Sequence, residues 1–226
     1  MKRAAARRRH RPAPAPKAPR EADPYWRLAT LAVLHWGAIQ KPEELSSLCR
    51  LVHRLQADTV LEVGTALGGT FYCWIQIASP DALLLSVDLP HGSYSARHGD
   101  PETTPERLRA AAKPGQRTHF IRCDSHDSNT LEQTKAELGG REVDFLFIDG
   151  DHTYEGVRSD FEMYAPLVRD GGVVAFHDVV MHLPSALCEV RQLWQELKPV
   201  YKEHWEFIDR SYEPDICGIG AIRIHR

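Results

Sequence analysis

The chain has 226 residues, 42% of them hydrophobic and 26% charged, which is ordinary for a globular protein with one sizeable core. No apolar run approaches the roughly 20 residues of a membrane-spanning helix, so we expect a soluble protein with no membrane partner. The net charge of −3 hides an asymmetry: residues 1–20 carry eight Lys/Arg and no acid, which leaves 20 basic against 31 acidic residues beyond them. Such an acidic body argues against a nucleic-acid binder, because phosphate contacts need a basic face.

Residues 1–23 are predicted to form a disordered, basic tail rich in Pro and Ala, because they offer no apolar period to bury. Three interpretations of the tail are open: a solvated segment, a contact for nucleic acid or anionic surfaces, and an organellar presequence. Residues 24–226 are predicted to form a single domain that starts with helices over 24–56.

The five cysteines include no CxxC pair. Their odd number, together with the lack of a recognisable signal sequence, favours a cytoplasmic location. Four of them lie in apolar periodic segments, where we expect buried free thiols.

Apolar residues at helical spacing predict helices over 25–37 and 43–55, the second behind Pro42, a favoured first-turn residue. From there, short β-rich runs alternate with helical segments, which implies a parallel sheet with helices on both faces. The predicted strands are 59–63, 83–88, 118–124, 143–149 and 172–178, and the predicted helices between them are 70–78, 106–112, 129–138 and 154–168.

The last part of the chain breaks this alternation. A helix is predicted over 185–197, followed by strands over 204–209 and 218–224, whose short connection favours antiparallel pairing. The predicted fold class is therefore α/β: a Rossmann-like, doubly wound, mostly parallel seven-stranded sheet with an antiparallel C-terminal hairpin. The polar stretch 90–105 is either a surface loop or a lid over a ligand site.

Acidic residues occur at or next to the end of each predicted parallel strand, where open parallel sheets bind their ligands. They are Glu62, Asp88, Asp124, Asp149 and Asp178. The first strand leads into a glycine-rich loop, in which Gly64 permits a tight turn while Gly68 and Gly69 let a ligand approach the backbone. Each of these residues alone also fits a helix cap or a turn.

The next two strand ends point to an adenosine ligand. Asp88 lies 26 positions after Glu62, and its carboxylate can accept hydrogen bonds from both hydroxyls of a ribose. Asp124 and Ser125 end the third strand, where an adenine edge would lie.

Two further strand ends supply Asp149, His177 and Asp178 to one small region. Carboxylates with an imidazole suit Mg²⁺ or Mn²⁺, with Fe²⁺ and Zn²⁺ as further candidates. A cation there would lower the pKa of a substrate hydroxyl, and His152, three residues past Asp149, could take the proton. The alternative is that both aspartates cap the following helices and the histidines face solvent.

These motifs resemble class I S-adenosylmethionine-dependent methyltransferases, in particular the subgroup of cephalosporin-hydroxylase-like proteins and O-methyltransferases that act on antibiotics and their sugars. The resemblance covers about residues 40–180. It is carried by VLEVGTALGGT, SVDLP, CDSHD and FLFIDGDHTYEGV…DGGVVAFHD.

The resemblance implies site residues. The first cofactor motif corresponds to Glu62, Gly64, Thr65, Gly68, Gly69 and Thr70, with Glu62 near the methionine amino group. Asp88 corresponds to the ribose-binding acid, Asp124 and Ser125 to the adenine side, and Asp149 to a metal ligand. Catechol-type relatives have a catalytic Lys at the position of His152, and Asp-Asn as metal ligands at the position of His177-Asp178.

The predicted function is methyl transfer from S-adenosylmethionine to a hydroxyl of a small molecule such as a natural product or sugar, assisted by a divalent cation, Mg²⁺ by preference. His152 is the predicted base, and Asp149, His177 and Asp178 are the predicted metal ligands. Two alternatives remain: a non-catalytic or repurposed adenosine-binding protein, and an NAD-dependent oxidoreductase, against which stands GxxxGG in place of GxGxxG.

The acceptor is not identified by the sequence. Tyr94, His91, Arg97 and Trp205 are candidates for lining its pocket, and they fit surface or core positions equally well. The sequence also leaves open whether the chain forms a homo-oligomer.

Overall fold

Alternating helices and strands make up the computed structural model, which describes residues 22–90, 103–180, 187–211 and 217–226. The helices are α1 Pro24–Trp36, α2 Pro42–Leu55, α3 Gly69–Ile77, α4 Thr103–Ala111, α5 Ser128–Leu138, α6 Tyr154–Tyr164 and α7 Val190–Leu197. The strands are β1 Thr59–Val63, β2 Leu83–Asp88, β3 Arg117–Arg122, β4 Val143–Ile148, β5 Val168–His177, β6 His204–Phe207 and β7 Ile219–Arg223.

The strands form one seven-stranded sheet in the order β3-β2-β1-β4-β5-β7-β6. Strands β1 to β5 pair in parallel, whereas β7 is antiparallel to both β5 and β6. This confirms the predicted fold class, including the antiparallel C-terminal hairpin. Among the strands, the largest difference from the predicted bounds is at β5, which starts at Val168 and accommodates an irregular register beside Val143 and Phe145 of β4.

The order of the strands reverses at β1 and β4. From β1 the chain builds outward through β2 to β3, and it then returns to the other side of β1 with β4 and β5. Helices that follow β1 and β4 therefore leave the sheet on opposite faces and open a crevice at the carboxyl ends of these two strands, the usual ligand position in such sheets.

The sheet carries an apolar core on each face, because successive side chains of a strand point to opposite sides. Val60, Phe145 and Phe147 face one core, in which residues of α1, α2 and α3 pack. Leu61, Val63 and their neighbours face the other, covered by α6 and α7. Burial on both faces explains why these strands read as continuous apolar runs.

The N-terminal helices have clear sequence signals at their ends. Asp23 caps α1 by accepting a hydrogen bond from the Tyr25 N–H at 3.1 Å, and Gly37 ends the helix in the left-handed conformation with φ 72°. Pro42 opens α2. None of the described helices is long and apolar enough to cross a membrane.

Three predictions fall partly or wholly outside the described residues. They are the basic tail up to residue 21, the 91–102 part of the polar stretch, and residues 185–186 of the helix predicted over 185–197. Residues 187–189 are not helical, so the predicted start of that helix was wrong and it begins at Val190.

Candidate active site

The carboxyl ends of the parallel strands open into a cavity of about 690 Å³. This volume lies within the usual range for a small-molecule or cofactor site. Of the thirteen predicted site residues, eleven line it: Gly64, Thr65, Gly69, Thr70, Asp88, Asp124, Ser125, Asp149, His152, His177 and Asp178. Glu62 and Gly68 are buried and are not among the residues that line the cavity. The structure thus brings the predicted residues to one place.

The glycine-rich loop after β1 closely approaches the end of β4. Gly64 has φ 84°, and a Cβ on it would lie 2.1 Å from the carbonyl oxygen of Asp149, which no side chain can occupy. Gly68 has φ 89° and starts α3 without a side-chain cap. The loop therefore presents the backbone N–H groups of a helix N-terminus to the cavity, a feature that suits polar or anionic parts of a ligand.

Glu62 is fully buried under this loop. Its Oε2 accepts a hydrogen bond from the indole N–H of Trp74, while its Oε1 has no hydrogen-bond partner among the described residues. Burial raises the pKa of Glu62 from 4.5 to about 8, and the nearby charge of Asp149 acts in the same direction. Only one of the two carboxylate oxygens of Glu62 is thus paired with a described residue.

Asp88 holds the glycine-rich loop in place. Its Oδ2 accepts the N–H groups of Thr65 at 3.1 Å and Ala66 at 2.7 Å, and its Oδ1 accepts the N–H of Leu89 at 2.8 Å. Since an ionised carboxylate has about four lone-pair sites, these bonds leave about one for a ligand. Asp88 therefore lines the cavity, as expected for a ligand-binding residue, and also binds backbone N–H groups of the loop, which was the alternative interpretation of this residue.

The third strand end is arranged as a turn. The Oδ1 of Asp124 accepts the N–H of His126 at 2.9 Å, and the carbonyl of Ser125 accepts the hydroxyl of Tyr164 at 2.8 Å. Both residues also line the cavity. As with Asp88, the turn role and a ligand role are compatible.

A cluster of two carboxylates and two imidazoles lies at the ends of β4 and β5. The Nδ1 of His177 lies 3.3 Å from Oδ1 of Asp149 and 3.2 Å from Oδ1 of Asp178. His152 lies between the same two acids: its Nε2 is 3.3 Å from Oδ1 of Asp149 and its Nδ1 is 3.4 Å from Oδ2 of Asp178. The parallel register explains this, because Ile148 and Phe176 are partners and the following residues emerge side by side.

The two acids make both imidazoles more basic. The hydrogen bond with Asp149 raises the pKa of His152, against the opposing effect of burial. Burial would lower the pKa of His177, but the charges of Asp149 and Asp178 outweigh it and raise that pKa well above its ordinary value. The alternative of solvent-facing histidines is wrong for His177, whose side chain is 5% exposed, whereas the His152 side chain is 42% exposed and reaches solvent.

Sequence reasoning missed several residues of the cavity wall, and three of them lie close to the acid–histidine cluster. Gln40, between α1 and α2, donates from Nε2 to Oδ2 of Asp149 at 2.6 Å. Cys188 and Cys217 line the cavity beside Asp178. No motif marks Gln40, because it reaches the site only through the packing of α1 and α2 over α3.

Two of the four thiols predicted to be buried are buried. Cys49 and Cys73 are buried, but Cys123 is exposed and Cys188 and Cys217 are partly exposed. A single apolar run cannot reveal that its residue borders a cavity made by other elements.

Among the residues proposed for the acceptor pocket, Trp205 does not line the cavity. It lies on β6, on the far side of β7, with the guanidinium of Arg223 over its ring at 5.4 Å. Its strand is at the edge of the sheet, two strands from β5. Tyr94, His91 and Arg97 lie outside the described residues.

Residues 61–179 match a family described as "Methyltransferase domain". Among curated relatives, an uncharacterized protein of Sinorhizobium fredii is 28% identical over 153 residues, which is 66% of this chain. An uncharacterized protein of Acanthamoeba polyphaga mimivirus is 50% identical over 36 residues, or 16% of this chain. Each match spans only 16% of the relative's own length.

Solved methyltransferase structures share the fold. The O-methyltransferase TomG from Streptomyces achromogenes, involved in tomaymycin synthesis and solved with SAM, is 20% identical with a TM-score of 0.61, over 89% of this chain and 90% of its own. The mycinamycin-pathway methyltransferase MycE, solved with Mg, SAH and mycinamycin VI, is 15% identical with a TM-score of 0.58, over 89% of this chain and 54% of its own.

Proposed function

Because the chain belongs to the methyltransferase domain family, we propose that it transfers the methyl group of S-adenosylmethionine to a hydroxyl of a small molecule, such as a natural product or a sugar. One observation carries the proposal. A single cavity joins a glycine-rich loop suited to an adenosine cofactor and a cluster of acids and histidines suited to activating a hydroxyl.

The residues present fit the cofactor. A Cβ at Gly64 would fill the close contact between the loop and Asp149, and the uncapped start of α3 offers N–H groups to the cavity. The Oε1 of Glu62 is buried without a partner, as expected for an acid that receives the methionine ammonium. When bound, S-adenosylmethionine supplies an electrophilic methyl group on a sulfonium, to be attacked in line by the acceptor oxygen.

We assign His152 as the base. Each of its ring nitrogens faces a carboxylate oxygen, so a neutral ring places one lone pair against negative charge and gains by accepting a proton. After proton transfer, Asp149 and Asp178 stabilise the imidazolium. The half-exposed ring can also pass that proton to solvent, so the base can be regenerated.

The same cluster fits a divalent cation. Asp149, His177 and Asp178 would hold it, and the buried Nε2 of His177 has no hydrogen-bond partner among the described residues. When bound, the cation supplies positive charge that lowers the pKa of the acceptor hydroxyl. By offsetting the charges of Asp149 and Asp178, it would also keep His152 neutral and ready to act. Gln40 holds Asp149 in position for this role.

Calorimetric titration of the purified chain with S-adenosylmethionine, with and without Mg²⁺ and with NAD as the control, tests the proposal. We expect saturable binding of S-adenosylmethionine and none of NAD. Screening of hydroxylated natural products for formation of S-adenosylhomocysteine then identifies the acceptor. Absence of S-adenosylmethionine binding in both conditions would refute the proposed function, whereas binding without turnover of any acceptor would favour an adenosine-binding protein that has lost catalysis.

A further inference from the structure

Two cysteines lie beside the acid–histidine cluster. A Mg²⁺ site needs only oxygen ligands, so it does not account for thiols at this position. The Sγ of Cys217 lies within 4.8 Å of a ring nitrogen of His177 and of a carboxylate oxygen of Asp178. The Sγ of Cys188 stands in the same relation to His152 and Asp178. Both thiols line the cavity, so an ion that enters it can reach them.

The antiparallel hairpin places Cys217 at this position. Strand β7 pairs with β5 so that Ile219 faces His177, which carries the residues just before β7 past the end of β5. The carbonyl of Cys217 accepts the N–H of Val180 at 2.9 Å, and the carbonyl of Gly218 accepts that of Val179 at 3.3 Å. The thiol is therefore held by a paired backbone and is not simply a side chain of a free loop.

The backbone is strained on both sides of this contact. Asp178 has φ 63° and Cys217 has φ 67°, both in the left-handed region that non-glycine residues rarely adopt. Such residues persist only where the surroundings enforce them, which is common at functional sites. The carboxylate of one of them and the thiol of the other lie within 4.8 Å.

His177 supplies the second, independent observation. The residue is 4% exposed and lines the cavity, and its Nε2 has no hydrogen-bond partner among the described residues. Leaving a buried polar atom without a partner destabilises the folded state. An ion bound to this ring, with the other nitrogen held by the acids, would remove much of that destabilisation.

We propose that His177, Asp178 and Cys217 bind a transition-metal ion of the Zn²⁺ type and that they prefer it to Mg²⁺. The inference rests on the proposed function, since the ion would occupy the wall of the same cavity. Thiolate and imidazole are ligands of Zn²⁺ and Co²⁺, whereas Mg²⁺ takes oxygen ligands in octahedral geometry. Three protein ligands leave a further position open, as in catalytic zinc sites, for an acceptor hydroxyl.

The group with Cys217 is preferred to the one with Cys188 for two reasons. His177 and Asp178 are both 4% exposed, so their ligand atoms are held rigidly, whereas the His152 side chain is 42% exposed. The two groups share Asp178, and an ion held by His177 leaves His152 free to take a proton. On binding, the thiol of Cys217 and the Nε2 of His177 each release a proton to solvent as the sulfur–metal and nitrogen–metal bonds form.

Cobalt is the probe for the thiolate. Co²⁺ is titrated into chelator-stripped chain, and we expect the near-ultraviolet absorption that marks a thiolate–cobalt bond. Cys217→Ser should remove this absorption, while Cys188→Ser and the exposed Cys123→Ser should keep it. An equimolar amount of Zn²⁺ should displace the cobalt, and a large excess of Mg²⁺ should not.

Alkylation provides a measurement on the unaltered chain, in case Cys217→Ser folds poorly. With Zn²⁺ present, Cys217 should react with iodoacetamide at least about tenfold more slowly, while Cys123 keeps its rate. Absence of the cobalt absorption, its survival in Cys217→Ser, or an unchanged alkylation rate of Cys217 would each overturn the inference. Binding of S-adenosylhomocysteine is measured on the same samples. If this binding persists while the metal signals are absent, the metal inference alone is refuted. If the metal signals are present while S-adenosylhomocysteine does not bind, the proposed function fails.

Discussion

His152 shows how a residue's role depends on what faces it. As a free side chain its pKa would lie close to the physiological range, but here one carboxylate faces each ring nitrogen, at 3.3 and 3.4 Å. The contact with Asp149 raises its pKa, so the ring binds a proton readily when no cation offsets the acids. The same geometry that makes His152 a strong base thus makes its activity depend on what neutralises Asp149 and Asp178.

We expect His152→Ala to reduce turnover by about 10²–10⁴-fold, the usual contribution of a general base. Binding of S-adenosylhomocysteine should change little, because the adenosine side of the cavity is formed by other strand ends. The measurement is formation of S-adenosylhomocysteine at saturating substrate, and calorimetry gives the binding constant. His119→Ala, which removes a histidine paired with Glu137 outside the cavity, is the control. Unchanged turnover in His152→Ala would remove the assignment of the base.

At the scale of elements, two connections hold the site together. The loop after β1 is packed against the end of β4 through Gly64, and α2 is tied to the C-terminal hairpin through Glu44. Glu44 is fully buried, and its two oxygens accept the N–H groups of Asp209 at 2.9 Å and Gly218 at 3.3 Å. The helix that precedes the sheet thereby positions the residue next to Cys217.

Gly64→Ala should abolish cofactor binding and lower the free energy of unfolding by at least about 2 kcal/mol. The added Cβ meets the carbonyl of Asp149 and the backbone has φ 84°, so steric overlap adds to conformational strain. The matched control is Gly139→Ala: Gly139 also has positive φ, 59°, but its Cβ would meet nothing within 4 Å. Urea unfolding and calorimetry measure both variants. Equal losses of stability would show that the close packing on β4 does not matter.

Glu44→Ala should lower the free energy of unfolding by about 2–4 kcal/mol, because it leaves the buried N–H of Gly218 and that of Asp209 without an acceptor. Glu44→Gln keeps one carbonyl acceptor and should recover part of the loss. Thermal unfolding ranks the three proteins. If Glu44→Ala were as stable as the parent chain, the link between α2 and the hairpin would be unimportant for stability.

For the whole molecule, four buried carboxyl groups favour the protonated state. Burial raises the pKa of Glu62 to about 8 and that of Asp160 to about 6, and the pKa values of Glu44 and Asp88 are raised for the same reason. Acids with raised pKa values bind more protons in the folded than in the unfolded chain. Their contribution is therefore fully present below the unfolded value and is lost as pH rises through the folded value.

We expect the free energy of unfolding of the metal-free chain to fall between about pH 4.5 and 8, the window set by Glu62. Glu62→Gln should flatten this dependence and raise the melting temperature at pH 8 by about 2–4 °C per kcal/mol gained, because a neutral amide can still accept the indole N–H of Trp74. Glu132→Gln, at a side chain 68% exposed, is the control and should change neither. Urea unfolding across this range measures the slope. A steeper dependence in Glu62→Gln would contradict the account.

Much of the fold was predictable from the sequence, because local signals and burial agree. Strands β1 and β2 were predicted with their observed bounds, since both faces of the central strands are buried and the apolar runs are unbroken. The acids at the strand ends could also be assigned to one site, because parallel strands deliver their carboxyl ends to the same edge of the sheet. The family resemblance then supplied their roles.

Other features depend on contacts between elements distant in sequence, and only the tertiary structure decided them. Gln40 reaches Asp149 across 109 positions, and Cys217 reaches His177 only because β7 runs antiparallel to β5. Neither residue belongs to a local pattern, since the period of a strand or helix tells which face is buried and not what lies opposite. The sequence by itself determined the sheet, its ligand edge and the acids that line it. The tertiary structure decided which side chains join those acids, because chain packing sets the distances on which coordination and proton transfer depend.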